Sequence, residues 1–239
     1  MSKVQAQTVK KIHADIKERG LLMLADAELP SVVGLITGES LKGSWWGHPL
    51  GNLIFNSSSD VEDLNDVLTL KLLKGKVTFV HEDLWQPLLT VLMSRDEWQM
   101  KKLPKATHDL LAHVDEVGRA LSQDVVKSVK AAAKDIAVLE KRGLLLTQQV
   151  HTETGAHAKY LVSWAKWASE NKVKASKSAK AKIEAYQIIE ASVRKFDPTA
   201  KCLPWVLSIR RCIELVKKSF EKFVAETLRC SDDFFQMSY

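Results

Sequence analysis

The sequence lacks any apolar run long enough to cross a bilayer. Its longest stretches, such as residues 21–24 and 88–93, fall far short of the roughly 20 residues that a spanning helix needs. The amino-terminal segment, with Lys3, Gln5, Gln7, Lys10 and Lys11, has neither the uninterrupted apolar core nor the small-residue cleavage site of a secretory signal. A soluble, cytoplasmic protein without a membrane partner is therefore expected. Cysteine is scarce: Cys202, Cys212 and Cys230 are odd in number and show no Cys-x-x-Cys spacing, which excludes a disulfide framework and predicts reduced, buried thiols. Also missing are a Gly-x-x-x-x-Gly-Lys-Ser/Thr phosphate loop, Gly-x-Gly-x-x-Gly, His-Glu-x-x-His and a Gly-x-Ser-x-Gly elbow. No catalytic motif names a reaction, and neither a cofactor nor a metal is expected.

What is present is a chain of 239 residues with 46% apolar content, enough to bury a full core and too apolar for a disordered polymer. The formal net charge of +6 is unevenly spread: residues 101–182 carry 16 basic and 8 acidic side chains, whereas residues 1–100 carry 10 and 13. A basic middle third suits an anionic partner, although a solvated surface accounts for the same total.

Apolar residues at Val4, Val9, Ile12 and Ile16 predict a helix over 4–19 that Gly20 ends. Short helices are expected over 26–37, with Pro30 in the first turn, and over 49–56. The period then changes: residues 67–73 and 76–80 flank Lys74-Gly75 and predict a hairpin, followed by a helix over 82–93. From Thr107 a short amphipathic helix closes near Gly118, and Ser122 caps the next segment. Val125, Val129, Ala133, Ile136 and Leu139 recur at three- and four-residue intervals, which predicts one helix over 123–142 stopped by Gly143. A second hairpin is expected from residues 144–151 and 156–162, turning at 152–155. Ser163 starts a helix bearing Trp164 and Trp167, both read as core, and two further helices are expected over 183–196 and 204–228.

Residues 106–164 taken together resemble a winged helix-turn-helix DNA-binding module. In that family, including the MarR-type regulators, the recognition helix commonly ends in a Leu-Glu-x-x-Gly-Leu run before the wing. Leu139-Glu140-Lys141-Arg142-Gly143-Leu144-Leu145 matches it. Only 18 residues separate Leu121 from Glu140, so the second and third helices must be short or fused. Residues 43–49 (Gly-Ser-Trp-Trp-Gly-His-Pro) and 75–81, with Leu84-Trp85, resemble patterns in bacterial winged-helix-like proteins, a likeness that implies no activity.

On one continuous helix, Lys127, Lys130, Lys134 and Lys141 would fall within about 60° of one another at 100° per residue, opposite Val125, Val129 and Ile136. Such a row matches duplex phosphates, and without Arg, Asn or Gln in it sequence selectivity is expected to be weak. His151, His157 and Lys159 belong to the expected wing, where a three-residue loop would set the two histidines opposite each other and a four-residue loop would place them on different faces. Trp45, Trp46 and His48 form a candidate pocket, since aromatic rings stack on bases and an imidazole at a turn can move a proton. His48 and Glu82 are the weak catalytic candidates.

The expected fold is mainly α with small β-hairpins (α+β), winged-helix-like or a tandem of two such modules. Its expected divisions are an N-terminal region at 1–103, a winged-helix module at 104–171 and a C-terminal helical segment at 172–239 that braces the module or forms a homodimer. Duplex DNA binding is the leading expectation. A base-excision glycosylase, for which the Gln-x-Asp or Gln-x-Gln type of motif is missing, and a protein–protein adaptor are the alternatives.

Overall fold

The computed structural model describes residues 2–151 and 157–206. It is a mixed α+β fold with two three-stranded antiparallel sheets, and the described elements fall in one compact unit that ends at Pro204. Among the described residues, no helix is long and apolar enough to cross a membrane.

Two stretches of the chain run through the same series of elements. The first comprises α1 (Lys3–Arg19), β1 (Leu21–Met23), α2 (Val32–Thr37), α3 (Gly51–Glu62), β2 (Val67–Lys71) and β3 (Val77–His81). The second comprises α6 (Lys105–Val117), β4 (Arg119–Leu121), α7 (Ser122–Ser128), α8 (Ala133–Lys141), β5 (Leu146–His151) and β6 (His157–Val162). Each therefore reads helix, strand, helix, helix, hairpin. The strand orders, β1-β3-β2 and β4-β6-β5, place the short first strand beside the last one in both sheets. Leu21 faces Val80 in the first sheet and Arg119 faces Val162 in the second.

The first repeat folds around Ile12, Ile16, Leu22, Val32, Val61 and Phe79. Ser2 caps α1 by accepting from the Gln5 N–H, and Gly20 ends it at φ +83°, where an added Cβ would lie 2.7 Å from Leu84. The second repeat folds around Leu110, Val114, Val125, Ile136, Leu139 and Leu161. Burying each such side chain is worth about 1.5–3 kcal/mol, so these two clusters fix how each hairpin sits on its helices.

Between the repeats lie α4 (Trp85–Leu92), preceded by a 3-10 turn over Glu82–Leu84, and α5 (Glu97–Met100). After them come α9 (Trp164–Glu170) and α10 (Ala179–Arg194), and α10 packs on α4. Trp85, Trp164 and Trp167 meet edge to face, with centroids 5.3 and 5.9 Å apart, and all three are buried as core. Asp96 anchors α10 through Lys182 Nζ and the Tyr186 hydroxyl, each 2.7 Å away. The Cys202 thiol is buried, and that burial, reinforced by Asp197, pushes its pKa up to about 12. Cys212, Cys230, the expected turn at 152–155 and nearly all of the helix expected over 204–228 lie outside the described residues.

The structure corrects several sequence expectations. The segment 123–142 is two helices, not one: α7 stops at Ser128, Lys130 takes φ +53°, and α8 starts at Ala133. Asp135 sets that start, since its carboxylate accepts from the Ala132 N–H (2.8 Å) and from the Thr107 hydroxyl of α6 (2.6 Å). α2 begins only at Val32 behind a Ser31 cap, so Pro30 precedes the helix, and α3 runs on to Glu62. The strands β1 and β4, three residues each, were not expected.

Candidate nucleic-acid interface

Because α7 and α8 are separate, the four lysines do not form a single stripe. Lys127 lies in the last turn of α7, Lys130 in the connecting turn, Lys134 in the first turn of α8 and Lys141 at its end. All four are exposed. The α7 end is closed by the Val129 N–H on Val125 O (3.0 Å) and the Ala131 N–H on Val126 O (3.1 Å). These bonds hold Lys130 at the corner in a left-handed conformation. Lys127, Lys130 and Lys134 form no ion pair among the described residues, and all three lie exposed at the α7–α8 junction. Gln123 and Asp124 share the exposed surface of α7.

Lys141 is set apart from them. An added Cβ at Gly75 would meet its Cγ at 3.5 Å, so its stem lies along the tip of the β2–β3 hairpin. Lys159 is also withdrawn from the group, because its Nζ is 3.1 Å from Glu140 Oε1. His151 and His157 are register partners across β5 and β6.

Glu140, the acidic residue of the Leu-Glu-x-x-Gly-Leu run, is the floor of a cleft of about 670 Å³ between the edge strands β2 and β5. Its side chain is 5% exposed and accepts from Lys71 Nζ (3.0 Å), Lys159 Nζ and the Thr147 hydroxyl. Lys71 lies in the first repeat and the other two in the second, so one carboxylate joins both. Burial pushes the Glu140 pKa up, but the Thr147 and lysine contacts outweigh it and hold the group below its ordinary value.

A carboxyl whose folded pKa is depressed adds stability above its unfolded pKa and loses it as pH falls through the folded value. Replacing Glu140→Gln should therefore flatten the acid limb of the stability–pH curve below about pH 4.5. Glu140→Ala should cost about 2–3 kcal/mol at pH 7, less than a fully buried pair would, because both lysines can turn to water. Urea unfolding at pH 7 and pH 4 measures both effects.

The candidate pocket at 45–48 is a surface feature. Trp45 and Trp46 stack with centroids 4.3 Å apart, and Phe55 of α3 continues the ladder 5.6 Å from Trp46. Trp46 is 66% exposed and Phe55 50%. The loop lies close against α3 because Gly51 has no side chain; a Cβ there would meet Trp46 O at 3.1 Å. Asn52, Asn56 and Ser59 are also exposed on α3. His48 Nδ1 accepts from the Leu50 N–H (3.1 Å) and so holds the turn. Glu82 is exposed on the 3-10 turn before α4, and no hydrogen bond or ion pair joins it to His48 among the described residues.

Sequence reasoning missed Glu140 as a buried junction and Phe55 as a partner of Trp46. Phe55 carried a usable signal: four residues after Gly51, it faces away from Ile54 and Val61, which are buried. No family model, curated protein or solved structure matches the chain.

Proposed function

We propose that the chain is a duplex-nucleic-acid-binding protein built of tandem winged-helix modules, whose second module grips phosphates through the α7–α8 helix–turn–helix. The observation that carries this is the helix–strand–helix–helix–hairpin order, with its strand order, occurring twice. It is joined by Lys127, Lys130 and Lys134 standing exposed at the corner of the second repeat. Ammonium groups on flexible stems suit phosphate oxygens as point charges, so affinity exceeds sequence preference. The hairpin β5–β6 is the wing, and α10, packed on α4 and anchored by Asp96, braces the two modules.

A fluorescence-anisotropy titration of the full chain with a duplex of about 20 bp tests this, with affinity expected in the micromolar range and falling linearly in log–log form with salt. Salt-independent affinity, or none at low salt, rejects the reading.

The exposed Trp46 and Phe55, backed by the half-buried Trp45, favour a second reading for the first module, that of a protein-binding adaptor. The two readings diverge on Trp46→Ala. Stacking on a base predicts duplex affinity about 5- to 150-fold weaker, since a base–aromatic stack is worth about 1–3 kcal/mol. An adaptor surface predicts no change. The glycosylase alternative gains no support, because His48 Nδ1 is engaged by its own turn and no hydrogen bond or ion pair joins His48 to Glu82 among the described residues.

A further inference from the structure

His13 of α1, Asp66 in the turn between α3 and β2, and His81 at the end of β3 converge in the first repeat. His13 Nε2 is 2.7 Å from Asp66 Oδ2, His81 Nε2 is 3.5 Å from the same oxygen, and the three donor atoms lie within 4.8 Å of one another. His81 is 2% exposed, yet its Nε2 has no hydrogen-bond partner. A buried imidazole nitrogen seldom stays unpaired, because the lost hydration is not recovered. The His13–Asp66 bond satisfies two of the three groups and leaves this atom unexplained.

Its other nitrogen explains how it is held. His81 Nδ1 accepts from the Asp83 N–H (3.3 Å) and lies 3.0 Å from Asp83 Oδ2, so the turn after β3 holds the ring. Metal binding would place the proton on Nδ1, shared with that carboxylate, and turn the Nε2 lone pair toward the ion, the arrangement in which an outer carboxylate orients a metal-ligating imidazole.

We propose that His13 Nε2, His81 Nε2 and Asp66 Oδ2 are the three protein ligands of a divalent transition-metal site. Two imidazole nitrogens and one carboxylate oxygen suit zinc, cobalt, nickel or ferrous iron and not magnesium or calcium, which prefer oxygen alone. Donors about 2.0–2.1 Å from a tetrahedral ion stand about 3.4 Å apart, so the cluster reaches that spacing through small side-chain rotations. The His13 and Asp66 side chains are 32% and 28% exposed, which leaves the remaining position to a ligand from solvent. The ion would tie α1 to β3 and to the turn that follows α3, and so fix the helix that carries Phe55.

The test uses the full chain, dialysed against a chelator and titrated with Co²⁺ and then Zn²⁺. One equivalent of Co²⁺ is expected to give visible d–d absorption that Zn²⁺ displaces. Saturating Zn²⁺ should raise Tm by roughly 5–10 °C at a hundredfold excess over Kd. His13→Ala and Asp66→Asn alter partly exposed groups and should leave the metal-free circular dichroism spectrum unchanged while weakening Co²⁺ binding by at least about 100-fold. Absence of stoichiometric binding overturns the proposal. Wild-type affinity in either variant also overturns it, because the metal would then be held elsewhere.

Discussion

Changing Lys127, Lys130 and Lys134 together to glutamate is expected to weaken binding of a 20-bp duplex by at least about 100-fold near 50 mM salt. Each lysine lost from a phosphate removes about one unit of salt slope, and three such contacts account for a fall of about 2.7 in the slope of log affinity against log salt. Reversing the charges adds repulsion to the loss. The fold should survive, because all three side chains are exposed and form no ion pair among the described residues. Lys180→Glu is the control: its side chain is 88% exposed on α10, and a single distant charge should change affinity less than about threefold. Anisotropy titrations at several salt concentrations give affinity and slope together, and equal slopes for the triple variant and the wild type would remove α7–α8 from the interface.

The second large effect concerns stability. Gly143→Ala should destabilise the protein by about 3 kcal/mol and lower Tm by roughly 6–12 °C. Two costs combine. Gly143 has φ +60°, a left-handed conformation that costs an L-residue about 1–2 kcal/mol. Its new Cβ would also lie 2.4 Å from Leu92 Cδ2, and Leu92 is 1% exposed in a packed core, so relief requires moving a buried side chain. Gly38→Ala separates the two terms: Gly38 has φ +78° but nothing within 4 Å of the added atom, so only the backbone cost of about 1 kcal/mol should appear. Thermal melts of the two variants against wild type decide the matter, and equal shifts would show that the Leu92 clash costs nothing.

Gly143 also shows what the sequence reveals. The Leu139–Leu145 run announced a helix end and a strand start, and the structure builds both through the Leu144 N–H on Leu139 O (2.9 Å) and the Gly143 N–H on Glu140 O (2.9 Å). Both hairpins, Gly20 as a helix stop and the buried tryptophans of α9 were legible because they depend on local period and turn chemistry. The break at Val129–Ala132 was not. It depends on Asp135 reaching Thr107, 28 residues away, while the apolar spacing from Val125 to Leu139 runs on as though nothing intervened. The strands β1 and β4 escaped because three residues are too few to show a period; they are strands only because β3 and β6 lie beside them.

The sites divide along the same line. Exposed lysines and tryptophans can be suspected from composition, since a charged helix face and a Trp-Trp pair stand out in a single sequence. Glu140 cannot, because its role requires Lys71, 69 residues earlier, to reach it. His13, Asp66 and His81 are equally scattered, 53 and 15 residues apart, and only the packing of α1 on the first sheet assembles them. The repeated series of elements was legible in part, since the order of helices and hairpins already allowed a tandem of two modules, whereas the third strand of each sheet was not.

Backbone hydrogen exchange of the full chain, measured with and without a 20-bp duplex at low salt, tests the central claim most directly. Slower exchange is predicted across residues 122–141, concentrated at the α7–α8 corner, with that protection abolished by salt. Protection confined to residues 43–59, or none anywhere while the duplex is bound, would contradict the assignment of phosphate gripping to the second repeat.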